Sequence, residues 1–266
     1  MTAAERTFVT RCSLAVRPFD LWTGQPPGNS ALAVRLEETG KRPVRASDGS
    51  YAFLDFPGSV CTLTIDSPFY LPTRMTVHLE EFAGRVPIVT AGLRPNRAYP
   101  PPAAASGFRF RVAGPSGAPE AGAIVTAYVE HDGAARGRLA EDKAAAGARR
   151  IAVAAGNGRL QPGDAFVLKG KGGSDAEWSA VADTWDAGLA LQLEQPLSKG
   201  WPRGTVLLPA CRTWSDMDGS VVIPFRGSFP PAAEAVVEIV SGERRWAARW
   251  QMEAGSVANM PDVRLD

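Results

Sequence analysis

Histidine and cysteine are scarce in this chain, with two and three residues among 266. His78 and His131 leave few ways to build a zinc centre or a nucleophile–base pair, and no HxxxH or CxxC spacing is present. No catalytic, cofactor-binding or metal-ligating set is therefore expected, and the chain reads as a non-enzyme. Three cysteines do not make a disulfide framework for a chain of this length. Cys12 and Cys61 fall at inward strand positions, either as two buried reduced thiols or as a strand-to-strand disulfide. No stretch approaches the ~20 apolar residues that span a bilayer. Residues 1–11 hold no apolar run of signal-peptide length, so cytoplasmic synthesis without a signal peptide is expected. Charge of one sign is also missing: 29 Lys+Arg stand against 28 Asp+Glu, which argues against nucleic acid or an anionic membrane as partner.

What the chain has is punctuation. Its 27 glycines and 22 prolines fall at intervals that favour many short strands over long helices. The most informative stretch is residues 46–56, ASDGSYAFLDF. Asp48-Gly49 supplies a tight turn, because glycine accepts positive φ and aspartate bonds its own downstream backbone. Tyr51 and Phe53 then share one face; Ala52, Leu54 and Phe56 share the other, which predicts a strand covered on both sides. Cys61, Leu63 and Ile65 alternate inward on the next strand. Further strands are predicted around Phe8–Val16, Leu32–Leu36, Met75–Leu79 and Arg85–Val89.

The arrangement of Asp20-Leu21-Trp22-Thr23-Gly24-Gln25-Pro26, Leu32–Leu36, Asp48–Phe53, Cys61–Ile65 and Tyr70 resembles the carboxypeptidase regulatory-like domain. That is a small prealbumin (transthyretin)-like β-sandwich, and the resemblance covers Phe8–Leu93. It implies a fold and is nearly silent on function. A Pro/Ala-rich junction follows at residues 95–105, with Tyr99 available to pin it. Phe108, Phe110 and Val112 restart the alternation, and a second Asp-Gly hairpin, SDMDGSVVIPF, appears only at residues 215–225. The chain is thus expected to be all-β, with two prealbumin-like or Ig-like sandwiches. The first occupies residues 1–94. The second, residues 106–132 and 211–266, is interrupted by a small β-barrel-like insertion at residues 133–210. This plan places Val125 and Val222 in one core.

Within the insertion, the alanine-rich residues 139–150 are read as one or two helical turns, followed by four to five short strands. The string LQPGDAFVL … LALQLEQPLSKGWPRGTVLL loosely resembles small β modules of phage tail and tail-like particle proteins. Two motifs are read as turns rather than sites. Asp216-Met217-Asp218-Gly219 lacks the later oxygen ligands of a calcium loop, and the Lys169–Ser174 loop lacks the order of a phosphate cradle. Trp178, Trp185, Trp201 and Trp214 crowd the insertion and its exit, either as large core side chains or as an interface. Trp178, Trp185, Trp201, Lys169 and Lys171 are the candidate contact residues. The expected role is a structural or adaptor protein of a phage-tail-like particle, incorporated in that particle, with other protein subunits as partners and no small-molecule ligand. The alternative is a carbohydrate- or peptide-binding module using the tryptophans.

Overall fold

The computed structural model describes residues 10–28, 31–82, 85–170 and 175–266. The chain divides into two compact units. Unit 1 holds residues up to Leu93 except Leu21–Gly24, which belong to unit 2 with Arg94–Asp266. It is all-β; among the described residues the helical turns are three short 3-10 segments.

Unit 1 contains β1 (Cys12–Asp20), β2 (Ala33–Leu36), β3 (Val44–Arg45), β4 (Tyr51–Leu54), β5 (Val60–Asp66), β6 (Thr73–His78) and β7 (Ile88–Leu93). They form two sheets, β3-β4-β1-β7 and β2-β5-β6. Along most of these strands buried and more exposed side chains alternate, except at the end of β1, where Pro18, Phe19 and Asp20 are all buried. Leu14 and Val16 from β1, Phe53 from β4, and Cys61, Leu63 and Ile65 from β5 are at most 2% exposed. Each such large side chain contributes about 1.5–3 kcal/mol of burial. The Asp48-Gly49 turn forms as the sequence suggests: Gly49 has φ 83°, and the Ser50 amide donates to Asp48 Oδ1 at 2.9 Å. The second face of β4 is less covered than expected, since Ala52, Leu54 and Phe56 remain partly exposed. The first strand also starts later, at Cys12; Phe8 lies outside the described residues. Cys12 and Cys61 are free thiols, which overturns the disulfide alternative.

The sandwich of unit 2 packs one sheet, β8 (Ser106–Ala113) with β18 (Ser220–Phe225), β21 (Val257–Asn259) and β22 (Val263–Arg264), against a larger one. The larger sheet contains β9 (Ile124–Val129), β19 (Ala232–Ser241), β20 (Arg244–Glu253) and the end of β17 (Val206–Trp214). Their shared core joins Phe108, Phe110, Val125, Val237, Val221 and Ile223. Trp250 meets Phe108 and Phe110 edge to face at 5.2 and 5.0 Å. Such pairs add about 0.5–1.5 kcal/mol each beyond burial. Val222 is buried but is not part of this core; its neighbours Val221 and Ile223 are. Val222 is one residue out of phase with the core positions of β18, and in a strand one residue changes the face, so it does not share a core with Val125 as expected. Ahead of β8, Tyr99 stacks on Trp22 at 5.8 Å, and Trp22 Nε1 donates to the Ser106 carbonyl at 3.2 Å.

The remaining strands of unit 2 are β10 (Gly137–Leu139), β11 (Lys143–Ala144), β12 (Arg150–Ala155), β13 (Ala165–Lys169), β14 (Ala176–Trp185), β15 (Ala190–Leu193) and β16 (Trp201–Pro202). Strands β10-β12-β15-β14-β13-β17 pair in that order, and β10 pairs back onto β17, closing an antiparallel barrel. Every strand of the ring sends apolar side chains inward: Leu139, Ile151 and Val153, Leu191 and Leu193, Val181, Phe166 and Leu168, and Leu207. The helical expectation for residues 139–150 fails. Alanine's helix propensity amounts to tenths of a kcal/mol per residue, whereas Ala144 is buried and pairs with Trp201 in the β11–β16 ribbon.

β17 belongs to both bodies. Its first residues pair with β10 and β13, and Ala210–Trp214 pair with β9 of the sandwich. Pro209, which has no N–H to donate, falls where the partner on one side changes from β10 to β9.

Gly219, in the second Asp-Gly hairpin, tests how tightly the sandwich is built. Its φ is +74°, and an added Cβ would stand 2.4 Å from the Val112 carbonyl oxygen. Gly117 has a similar φ of +80° with open space around it. Gly219→Ala is expected to cost at least about 2 kcal/mol, lowering Tm by about 4–8 °C, and Gly117→Ala about 1 kcal/mol. Equal Tm shifts by calorimetry would contradict the close approach.

Candidate functional site

Polar side chains collect where barrel and sandwich share β17, and they form two groups. The first lies around Lys169 at the end of β13. Lys169 forms an ion pair with Glu130 and sits 5.8 Å from the Tyr128 ring. Arg249 of β20 approaches Glu130 at 2.9 Å and also pairs with Glu234. Beside them Tyr128, Val167, Val206, Leu208 and Val236 form an apolar cluster drawn from barrel and sandwich strands alike. A cleft of about 430 Å³ opens here, lined by Glu130, His131, Arg138, Lys169 and Val206. Burial alone would push the Glu130 carboxyl up; the Lys169 and Arg249 charges outweigh it and hold the group below 4.5.

The second group surrounds Asp164. The predicted Pro-Gly-Asp turn forms, with Gly163 at φ 85°, and delivers Asp164 into a site where it is 7% exposed. Arg136 Nη2 reaches Asp164 Oδ2 at 3.2 Å, Arg226 pairs with Oδ1, and the Gln161 amide donates to Oδ2 at 2.8 Å. Arg136 also donates to the carbonyls of Arg226 and Arg159, at 2.9 and 2.7 Å. Next to this knot, Arg94 lies over the Trp214 ring at 4.6 Å and donates from Nε to the Arg212 carbonyl at 2.9 Å. Arg212 in turn stacks on Trp178 at 3.9 Å. Cys211 is buried beside them, and burial pushes its thiol up to about 12, so it stays neutral. Sequence reading found the turn at Asp164 but not this role. Its arginine partners lie 28 and 62 residues away, and no local pattern links them.

The predicted contact residues are not brought together. Trp178 is half-buried under Arg212. Trp185, at the end of β14, is 39% exposed and faces Arg150 at 5.1 Å. Trp201 is a core residue of the barrel, 3% exposed, with Nε1 donating to Glu177 Oε2 at 2.7 Å; its burial removes it from any contact surface. Lys169 is committed to Glu130, and Lys171 lies outside the described residues. His78 and His131 are exposed, and His131 Nδ1 accepts the Gly133 amide. Asp216 Oδ1 accepts the amides of Asp218 and Ser220 at 2.9 and 2.8 Å, which spends that carboxylate on the hairpin.

Two outcomes are expected. Asp164→Ala leaves the buried Arg136 charge without its counter-ion and is expected to destabilise unit 2 by about 3–5 kcal/mol in denaturant unfolding. Glu130 has a depressed folded pKa, so its contribution is complete above 4.5 and lost as pH falls through the folded value. Glu130→Gln should therefore cost about 1 kcal/mol at pH 7 and progressively less as pH falls through the folded value; a cost independent of pH would refute the ion-pair account.

No family model and no curated protein matches this chain. Among solved structures, a shaft pilin of Lactobacillus rhamnosus GG aligns over 95% of this chain and 97% of its own, at 7% identity and a TM-score of 0.26. A streptococcal ancillary pilin aligns over 97% of this chain and 62% of its own, at 8% identity and a TM-score of 0.24. The major pilin subunit of Bacillus cereus aligns over 95% and 99%, at 7% identity and a TM-score of 0.24.

Proposed function

We propose that this chain is a non-enzymatic structural subunit or adaptor of a multi-protein particle, docking onto neighbouring subunits. The observation that carries the reading is β20. It is ten residues long, pairs with β19 along its whole length, and ends the nine-stranded sheet, with no strand on its other side among the described residues. A long edge offers a row of backbone donors and acceptors to a strand from another chain. Strand addition by a neighbouring subunit is the mode it suits. Its outward residues Arg245, Ala247, Arg249 and Gln251 would select the partner, while Trp246 and Trp250 hold the strand to the core. Unit 1 adds an open groove of about 830 Å³, lined by Leu36, Phe53, Phe56 and Val60 among others. The finer reading, a phage-tail-like particle, rests on the resemblance of the barrel stretch to tail modules, and the first sandwich is read as carboxypeptidase regulatory-like on its turn motifs. The carbohydrate-binding alternative loses ground because Trp201 is in the core and Trp178 is covered by Arg212.

The test is recovery of the chain from native particles, read by electron microscopy and mass spectrometry. Incorporation in fixed stoichiometry is expected. The double variant A247K/Q251K, which adds charge along the edge, should keep the wild-type Tm and lose incorporation. A chain recovered only as a free monomer would sink the proposal.

A further inference from the structure

Four arginines line one cleft of about 50 Å³ in unit 2: Arg94, Arg136, Arg212 and Arg226. Asp164 is the one carboxylate in its lining, and it is already shared by Arg136 and Arg226. Among the described residues no carboxylate comes within ion-pair distance of Arg94 or Arg212. Glu194 acts on Arg94 through space only. Cys211, which also lines the cleft, is neutral. The cleft therefore carries an excess of positive charge.

Two buried donors point to what would balance it. Arg136 is 7% exposed, and its Nε makes no hydrogen bond among the described residues; neither does the buried Nε1 of Trp178. Both residues line the cleft. Buried N–H groups are nearly always paired, and leaving one unpaired costs about 1–3 kcal/mol. The site supplies donors and positive charge, and what it calls for is an acceptor that is also negative. About 10–15 Å³ of such volume holds one water, so this cleft takes a group the size of three or four oxygens and not a nucleotide. Desolvation draws Arg94 and Arg212 below their ordinary values, and Arg94 adds to the effect on Arg212. Two cations are thus held near each other in a partly dry place, an arrangement that an anion would relieve.

We infer that the cleft between Arg94, Arg136, Arg212 and Trp178 is a binding site for a single small oxyanion of phosphate or sulfate size. Arg94 and Arg212 would supply charge-assisted hydrogen bonds, and the Trp178 indole and Arg136 Nε the fixed donors. Anion binding in this cleft needs no neighbouring subunit and would occur in a free monomer.

The experiment is calorimetric titration of the full chain with inorganic phosphate, sulfate, acetate and chloride at matched ionic strength, alongside Trp fluorescence and Tm. Saturable binding of phosphate or sulfate, with a higher Tm than in chloride, is expected. Saturation by acetate alone would overturn the tetrahedral assignment in favour of a carboxylate, such as a partner's acidic side chain. Arg212 reaches solvent, so Arg212→Gln should keep the wild-type Tm in chloride and weaken phosphate binding about tenfold. Trp178→Phe, which removes one indole N–H, should weaken it about fivefold. Equal effects of all four anions, or binding untouched in both variants, would overturn the site.

Discussion

The shared strand β17 is the constraint on which unit 2 depends. One strand closes the barrel at its start and completes the sandwich sheet at its end. Neither body can lose it and stay closed. The entropic cost of closing a long loop grows only slowly with its length, so flexible tethers alone would hold the barrel loosely. Here the exit is a continuous ladder of backbone hydrogen bonds, so the barrel's orientation is set by sheet geometry and not by a linker. The apolar cluster of Tyr128, Val167, Leu208 and Val236 covers that ladder with side chains from both bodies.

The charged groups follow from this geometry. Joining a barrel to a sandwich along one strand leaves a seam where backbone carbonyls of Arg159 and Arg226 face inward. Arg136 satisfies both and needs a buried counter-ion, which Asp164 supplies from the turn before β13. The desolvation of such a pair offsets much of its Coulomb attraction, so the intact pair adds little net stability while removal of one partner is costly. At the other group, Lys169, Glu130, Arg249 and Glu234 tie the barrel's β13 to β9, β19 and β20 across the surface. Both groups serve placement of strands. The cleft beside Asp164 differs, because there the donors outnumber the acceptors.

Local rules made much of the fold legible. The alternation of Leu63 and Ile65, of Phe108 and Phe110, and of Trp246 and Trp250 marked the faces that are buried. The Asp48-Gly49, Pro162-Gly163 and Asp218-Gly219 turns stand where their residues demand positive φ. The errors have equally local causes. Alanine suggested helix near Ala144, but a pairing with Trp201, far along the chain, decided the matter. A tryptophan's identity does not say whether it ends in a core, as Trp201 does, or at the surface, as Trp185 does.

By itself the sequence determined that this is a strand protein, where it turns, and which side chains avoid water, because a period of two and a glycine's freedom are properties of neighbouring residues. Only the tertiary structure decided that the barrel closes through β10 and β17, that β17 serves two bodies, and that Arg94, Arg136, Arg212 and Arg226 converge beside one aspartate. Those outcomes rest on backbone pairing and charge acting through space between residues far apart in the chain, and no local pattern encodes a distance that only folding brings about.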